Sequence, residues 1–274
     1  MTDVLLLHPG EMGSSVGNAL VFKGHGAYWI SEGRSESTRL RARKASMFSE
    51  ETLKAGLAKV EIVISVCPPE FAVEVADQVL EHKFKGIYCD ANAVAPSTAQ
   101  LIAEKFGNAY VDGGIIGPPL YRHGTTRLYV SGANAVEIVN LFAGSALDTR
   151  LVEGDVVSAS ALKMCYAAYT KGSSAMLLAI RSLADAHGIT STLKNEWELS
   201  QPRLWERSEG SGPGTTRKAW RFAPEMREIA KTFENSGLPS GFHDAASDVY
   251  QRMAILKDSE PVSTRKIAKL LRED

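Results

Sequence analysis

The sequence predicts an α/β protein: a doubly wound, mostly parallel sheet, then a long helix and a smaller all-α C-terminal domain. Three observations predict it. Up to about residue 150, short and wholly apolar runs alternate with segments of helical periodicity. Strands that apolar need cover on both faces, as in a parallel sheet flanked by helices. The first run enters a glycine-rich turn that opens a helix, and beyond residue 157 the strand-like runs give way to helices and loops. The 274 residues, 44% of them hydrophobic, suffice for this arrangement.

The elements follow in order. Val4–Leu7 (VLLL) reads as a buried strand, after which Met12, Val16 and Leu20 recur at helical spacing. Ala27–Ser31 (AYWIS) is a second strand, and Glu61–Pro68 (EIVISVCP) a third, followed by a helix from about Phe71 to Glu81. GIYCDAN is a strand before a helix that Pro96 opens and that ends near Phe106. AYVDGGIIG and RLYVSG are two further strands. One long helix, rich in Ala, Leu, Met and Ser, spans about Ser158 to His187. LKNEWELSQPRLW, APEMREIAKTFENSG and GFHDAASDVYQRMAILKD continue as helix, whereas Ser208–Thr216 (SEGSGPGTT) reads as a loop from its Gly, Ser and Pro content. The expected division is 1–157 for a nucleotide-binding domain and 158–274 for the linking helix with an all-α substrate and dimerisation domain.

Bulk properties exclude several classes. With 31 basic and 32 acidic residues the net charge is -1, so no global field favours nucleic acid or an anionic membrane. No apolar run approaches a membrane span and no secretory leader pattern is present, so a cytoplasmic protein is expected. Cys67, Cys89 and Cys165 are odd in number and widely spaced, which points to free buried thiols in a reducing compartment. No His/Cys/Asp/Glu group has metal-ligand spacing, so metal-free chemistry is expected.

The turn HPGEMG nearly spells a dinucleotide loop, in which glycines allow a tight turn, close pyrophosphate approach and helix packing. Gly10 and Gly13 take the second and third positions, with Glu11 and Met12 between them at a helix start whose free N–H groups suit phosphate. His8 takes the first position, where a side chain is expected to keep φ negative and alter the turn. At the end of the second strand, Arg34 and Ser35 suit a 2′-phosphate through charge-assisted bonds, so NADP(H) is the expected cofactor. Arg39 and Arg43, four residues apart, read as a solvated helix face.

Taken together, several turns resemble the β-hydroxyacid dehydrogenase family, which includes 3-hydroxyisobutyrate and 6-phosphogluconate dehydrogenases. PGEMG resembles the family's G-x-G-x-M-G; SVCPPEFA, with Val66, Cys67 and Pro68, resembles the loop beside the nicotinamide. DANAVAP, with Asn92, resembles D-x-S-T-x-x-P, and DGGIIGPP stands where the substrate loop D-A-P-V-S-G-G belongs. ASALKMCYAA resembles the segment holding the catalytic lysine, and the tail from Ala219 resembles the C-terminal domain of a little-characterised branch. The resemblance implies a Rossmann-type fold and an NADP(H)-dependent dehydrogenase or reductase of a small hydroxy acid, alcohol or carbonyl compound. Departures are equally informative. Ile116 replaces the substrate-loop serine, and Pro118 the glycine after Gly117; Tyr166, Ala167 and Thr170 stand where polar relay residues belong. These changes argue against a standard 6-phosphogluconate or hydroxyisobutyrate dehydrogenase.

Lys163 is the expected general acid/base, since hydride transfer to a carbonyl creates alkoxide charge that a proton donor must meet, and desolvation lowers an ammonium pKa. In isolation it would read as a solvated helix residue; the segment around it favours the functional role. Tyr166 is a supporting donor, and Ala167 and Thr170 leave room for substrate on the same helix. Arg221 and His243 are candidate substrate contacts. Lys171 is expected to be solvated or paired. A homodimer through the helical domain is expected, because that domain has too few helices to wrap its apolar long one. Two other readings stay open: an imine reductase of the same architecture, and a non-enzymatic NADP-binding sensor.

Overall fold

The computed structural model describes residues 1–120 and 123–273, and the chain divides into two compact units, Met1–Lys163 and Met164–Asp274. In the first, β1 (Asp3–Leu7), α1 (Glu11–Phe22), β2 (Gly26–Ile30), α2 (Glu36–Lys44), β3 (Phe48–Glu50), α3 (Leu53–Leu57) and β4 (Ile62–Ser65) come first. Then follow α4 (Ala72–Glu81), β5 (Ile87–Asp90), α5 (Pro96–Phe106), β6 (Tyr110–Ile116), β7 (Arg127–Ser131), α6 (Ala135–Phe142) and β8 (Asp148–Leu151). The strands form one eight-stranded sheet in the order β3-β2-β1-β4-β5-β6-β7-β8. Among the described residues only β6 and β7 pair antiparallel; every other pairing is parallel. This is the doubly wound, mostly parallel Rossmann-type sheet expected.

Alternate residues explain the two-sided burial. Leu6, Ile64 and Val111 point into one apolar layer with Val16 and Leu20 of α1, while Leu5, Val63, Tyr88 and Tyr110 point into the other with Val75, Val79 and Ile102. β3 and β8, FSE and DTRL, carry no apolar run; they are edge strands that join mainly through backbone pairing, Phe48 adding a tilted ring contact with Tyr28 of β2 at 5.4 Å.

Helix α7 (Ser158–Ala186) begins in the first unit and continues into the second, where α8 (Thr190–Ser200), α9 (Leu204–Thr215), α10 (Ala219–Asn235), α11 (Gly241–Arg252) and α12 (Thr264–Leu270) follow. The buried Ala219, Ala223, Met226 and Ala230 form one face of α10, and the Ser247 hydroxyl of α11 donates to Ala223 O at 3.0 Å. The loop expected at Ser208–Thr216 is instead helical through Thr215, with Pro213 inside. A proline at 213 leaves the Glu209 carbonyl without its usual helical partner. The Thr264 hydroxyl lies 2.9 Å from that oxygen and 3.0 Å from Ser208 O, and accepts Gly212 N–H at 3.1 Å. A Cβ on Gly212 would lie 2.7 Å from Thr264 N, so glycine is what lets the segments approach. Among the described residues no helix is long and apolar enough to cross a membrane.

Candidate nucleotide site and lysine

The sheet order reverses beside β1, and such a switch point opens a crevice at the carboxyl ends of the strands. The His8–Gly10 turn leaves β1 there and the Val66–Pro68 loop leaves β4, joined by Val66 N–H donating to Leu7 O at 3.2 Å. His8 corrects the expectation of negative φ: it adopts +69°, the left-handed region, at a cost of about 1–2 kcal/mol. The tight turn is therefore kept without glycine, and Gly10 N–H donates to His8 O at 2.7 Å. Gly10 itself has φ -68°, and a Cβ on it would meet open space. Gly13 is the packing glycine, where a Cβ would fall 2.4 Å from His8 O. Among the described residues no side chain caps α1, so its first N–H groups, at Glu11, Met12 and Gly13, stay available to an anion. Glu11 is exposed and Met12 packs against the core.

Arg34 follows β2 and is half-buried; burial, with the charge of Arg34 adding to it, holds the His8 imidazole down at about 4, so it is neutral near neutral pH. Ser35 caps α2, its hydroxyl accepting Thr38 N–H at 3.3 Å. The expected solvated basic face is partly committed: Arg39 donates to Ser31 O at 2.8 Å, while exposed Arg43 pairs with Glu36. Arg41, unassigned from sequence, ties the turn to α2 by donating to Pro9 O at 3.3 Å.

Asn92 is buried and holds the neighbouring loop: its Oδ1 accepts Cys67 N–H at 2.5 Å and its Nδ2 donates to Ser65 Oγ at 3.1 Å. Asn92 N–H in turn donates to Asp90 Oδ1 at 3.0 Å. Burial pushes Asp90 up to about 7, the charge of Asp112 on β6 adding to it, and pushes the Cys67 thiol up to about 12. The cysteines depart from expectation: all are free, but only Cys89 is buried, Cys67 being half-buried and Cys165 exposed.

Lys163 is half-buried and donates from Nζ to Ile115 O, 2.7 Å away on β6. Ile116 is buried at the end of that strand, and Gly117 has φ +129°, with a Cβ there 2.3 Å from Thr125 O. Pro118 O accepts the Thr126 hydroxyl at 2.5 Å. The carboxyl ends of β1, β2, β4, β5 and β6 thus gather the glycine turn, Arg34, the Cys67 loop, Asn92 and Lys163 in one unit.

The other sequence candidates lie in the helical unit. Tyr166 is exposed, Ala167 is buried, and the Thr170 hydroxyl donates to Tyr166 O. His243 is buried against Phe233 and beside Gly172, its pKa lowered by burial; Arg221 is half-buried on α10. Lys171 pairs with Glu225, as expected of a committed lysine. Sequence reasoning missed Asp90 and Asp112 as structural anchors, although a carboxylate in an apolar strand is itself a signal.

Residues 184–253 match a family model described as a domain of unknown function, DUF1932. An uncharacterized 28.5 kDa protein of Methanothermus fervidus is 31% identical over 163 residues, 59% of this chain and 63% of that protein. A 3-hydroxyisobutyrate dehydrogenase of Mycobacterium tuberculosis, solved with L-serine, superposes with a TM-score of 0.74 at 15% identity, over 100% of both chains. The chain has the 3-hydroxyisobutyrate dehydrogenase fold. The resemblance to β-hydroxyacid dehydrogenases read from the ordered motifs is borne out, with the matched model lying in the helical tail. An imine reductase from Myxococcus stipitatus, a V8 variant in complex with NAD+, shares this fold with a TM-score of 0.60 at 17% identity, over 99% of both chains.

Proposed function

We propose that the protein is an NADP(H)-dependent oxidoreductase acting on a small hydroxy acid, alcohol or carbonyl compound, with Lys163 as general acid/base. The observation that carries this reading is the gathering of an open glycine turn, Arg34 and Lys163 at one end of one sheet. The residues fit the cofactor: Gly10 leaves room for a diphosphate before uncapped helical N–H groups, and Arg34 with Ser35 suits a 2′-phosphate. Val66, Cys67 and Pro68, steadied by Asn92, would flank it. When bound, the nicotinamide supplies or takes the hydride. Lys163 gives its proton to the oxygen that gains charge in reduction and recovers it in oxidation. Ile116, Gly117, Pro118, Ala167, Thr170, Arg221 and His243 are the proposed substrate contacts, Tyr166 lending a hydrogen bond; the apolar members favour a substrate less charged than a sugar phosphate.

A homodimer through the helical unit belongs to the same reading. Tyr169, Met176 and Leu183 form an exposed stripe along α7, one residue in every seven over roughly 20 Å, the heptad spacing of a helix seam. A scattering mass of one chain at micromolar concentration would refute it.

The test of the chemistry is Lys163→Met. It should lower turnover of a confirmed substrate by roughly 10²- to 10⁴-fold and leave NADPH affinity within about twofold. A second reading, imine reduction, is favoured by the fold shared with an imine reductase and by the exposed Tyr166 phenol. It moves ahead if Tyr166→Phe abolishes turnover while Lys163→Met does not.

A further inference from the structure

The first turn of α7 is fastened to β6 at successive points. The Asp112 carboxylate accepts two bonds from Ser160, from its N–H at 2.6 Å and from its hydroxyl at 2.5 Å. At Gly114 the strand has no side chain, and a Cβ there would lie 2.8 Å from Ala159 O and 3.0 Å from Lys163 Cβ. The helix therefore lies directly on the strand. At Ile115 the carbonyl receives Lys163 Nζ at 2.7 Å. Behind these contacts, the Ser131 hydroxyl of β7 accepts Ala159 N–H at 3.0 Å and lies 3.1 Å from Val156 O.

A carboxylate suits this place because the first turn of a helix presents unpaired N–H groups and the positive end of the helix dipole. Asp112 and Ser160 are both fully desolvated, so the pair of bonds is charge-assisted and strong. Lys163 stands less than one helical turn beyond Ser160, so a shift of the first turn carries its Cα along.

We propose that Asp112 is a positioning residue for Lys163: by holding Ser160 it sets where the lysine stands on β6 and which carbonyl its ammonium reaches. Asp112 touches no reacting atom in this scheme. Its importance for catalysis rests on the reading of Lys163 as proton donor, but the positioning is measurable without turnover. The ionisable groups facing Asp112 on its own and the adjacent strand are Asp90, Cys89 and Tyr110, each influenced by its charge. Burial lifts Asp112 to about 6, and protonation there removes one of its acceptor sites.

The experiment is competitive acetylation of the intact protein with acetic anhydride between pH 5 and 8, read by mass spectrometry as the Lys163 rate relative to exposed Lys44. In the native protein the ratio should rise about 3- to 10-fold as pH falls through about 6, the range expected when a bond worth about 1 kcal/mol is lost. Asp112→Asn keeps one oxygen acceptor but no charge; it should show the raised ratio at every pH, without the step. Ser160→Ala retains the N–H bond and should raise the ratio about twofold. A folded Asp112→Asn protein with the native ratio and the native pH step overturns the proposal. If Asp112→Asn does not fold, an unchanged ratio in Ser160→Ala overturns it equally. Should the ratios move as expected while Lys163→Met retains turnover, the positioning stands and the catalytic reading falls.

Discussion

Asp90 offers a test of how its burial is borne by the fold. It lies at the end of β5, fully buried, with Oδ1 accepting Asn92 N–H and Oδ2 lacking a partner among the described residues. Burial lifts its pKa from 3.8 to about 7. The folded chain thus binds this proton more tightly than the unfolded chain. The associated stability is full below the unfolded value and is lost as pH rises through about 7. At about 1.36 kcal/mol per unit over nearly two units of titration, about 3 kcal/mol should be lost between pH 5 and pH 8, equivalent to about 6–12 °C in melting temperature for a unit of this size. Asp90→Asn keeps an oxygen for Asn92 and removes the ionisation. The melting temperature of the variant minus that of the native protein should therefore be more positive at pH 8 than at pH 5 by about that amount. Taking the difference cancels the opposite slope from His8, whose lowered pKa makes stability fall as pH drops from 6.5 toward about 4. Scanning calorimetry at both pH values measures it. A difference equal at the two pH values refutes the reasoning.

Three further outcomes are expected. Arg34→Ala should weaken 2′,5′-ADP binding by about 10- to 100-fold in calorimetry, the value of a charged hydrogen bond, and leave 5′-ADP almost unchanged; equal losses would remove the basis for NADP(H) preference. Gly13→Ala puts a methyl group 2.4 Å from His8 O, so it should destabilise the nucleotide unit by about 2 kcal/mol or more and abolish 2′,5′-ADP binding; native denaturant midpoints would contradict the packing described. Thr264→Val leaves the Glu209 and Ser208 carbonyls and Gly212 N–H without their shared hydroxyl, and should cost about 1–3 kcal/mol in urea unfolding, with amide exchange quickened at residues 208–215.

The placing of the candidate nucleotide site was legible because its residues are adjacent in sequence to the strands that carry them. A run such as VLLL before PGEMG places Gly10 and Gly13 at a strand end without knowledge of any distant contact. Arg34 and Ser35 were legible for the same reason, as was Pro96 at the opening of α5. Asp112 was quoted only as part of a motif. Its role depends on Ser160, 48 residues on, and no local pattern encodes that pairing.

By itself the sequence determined the buried strands, the long helix and the order of a doubly wound sheet followed by helices, since apolar periodicity records which faces must leave water. It did not determine β3 and β8, short edge strands without an apolar run that are defined by backbone pairing to β2 and β7. Nor did it determine the left-handed φ of His8, which only the surrounding turn imposes. The segment from Ser208 looks like a loop until Thr264 is brought to the carbonyls beneath Pro213 and Gly212 makes room for it. For the edge strands and for the helix over 208–215 the deciding partner is remote in the chain, and local propensity yields to a hydrogen bond or a close contact that exists only once the fold has formed.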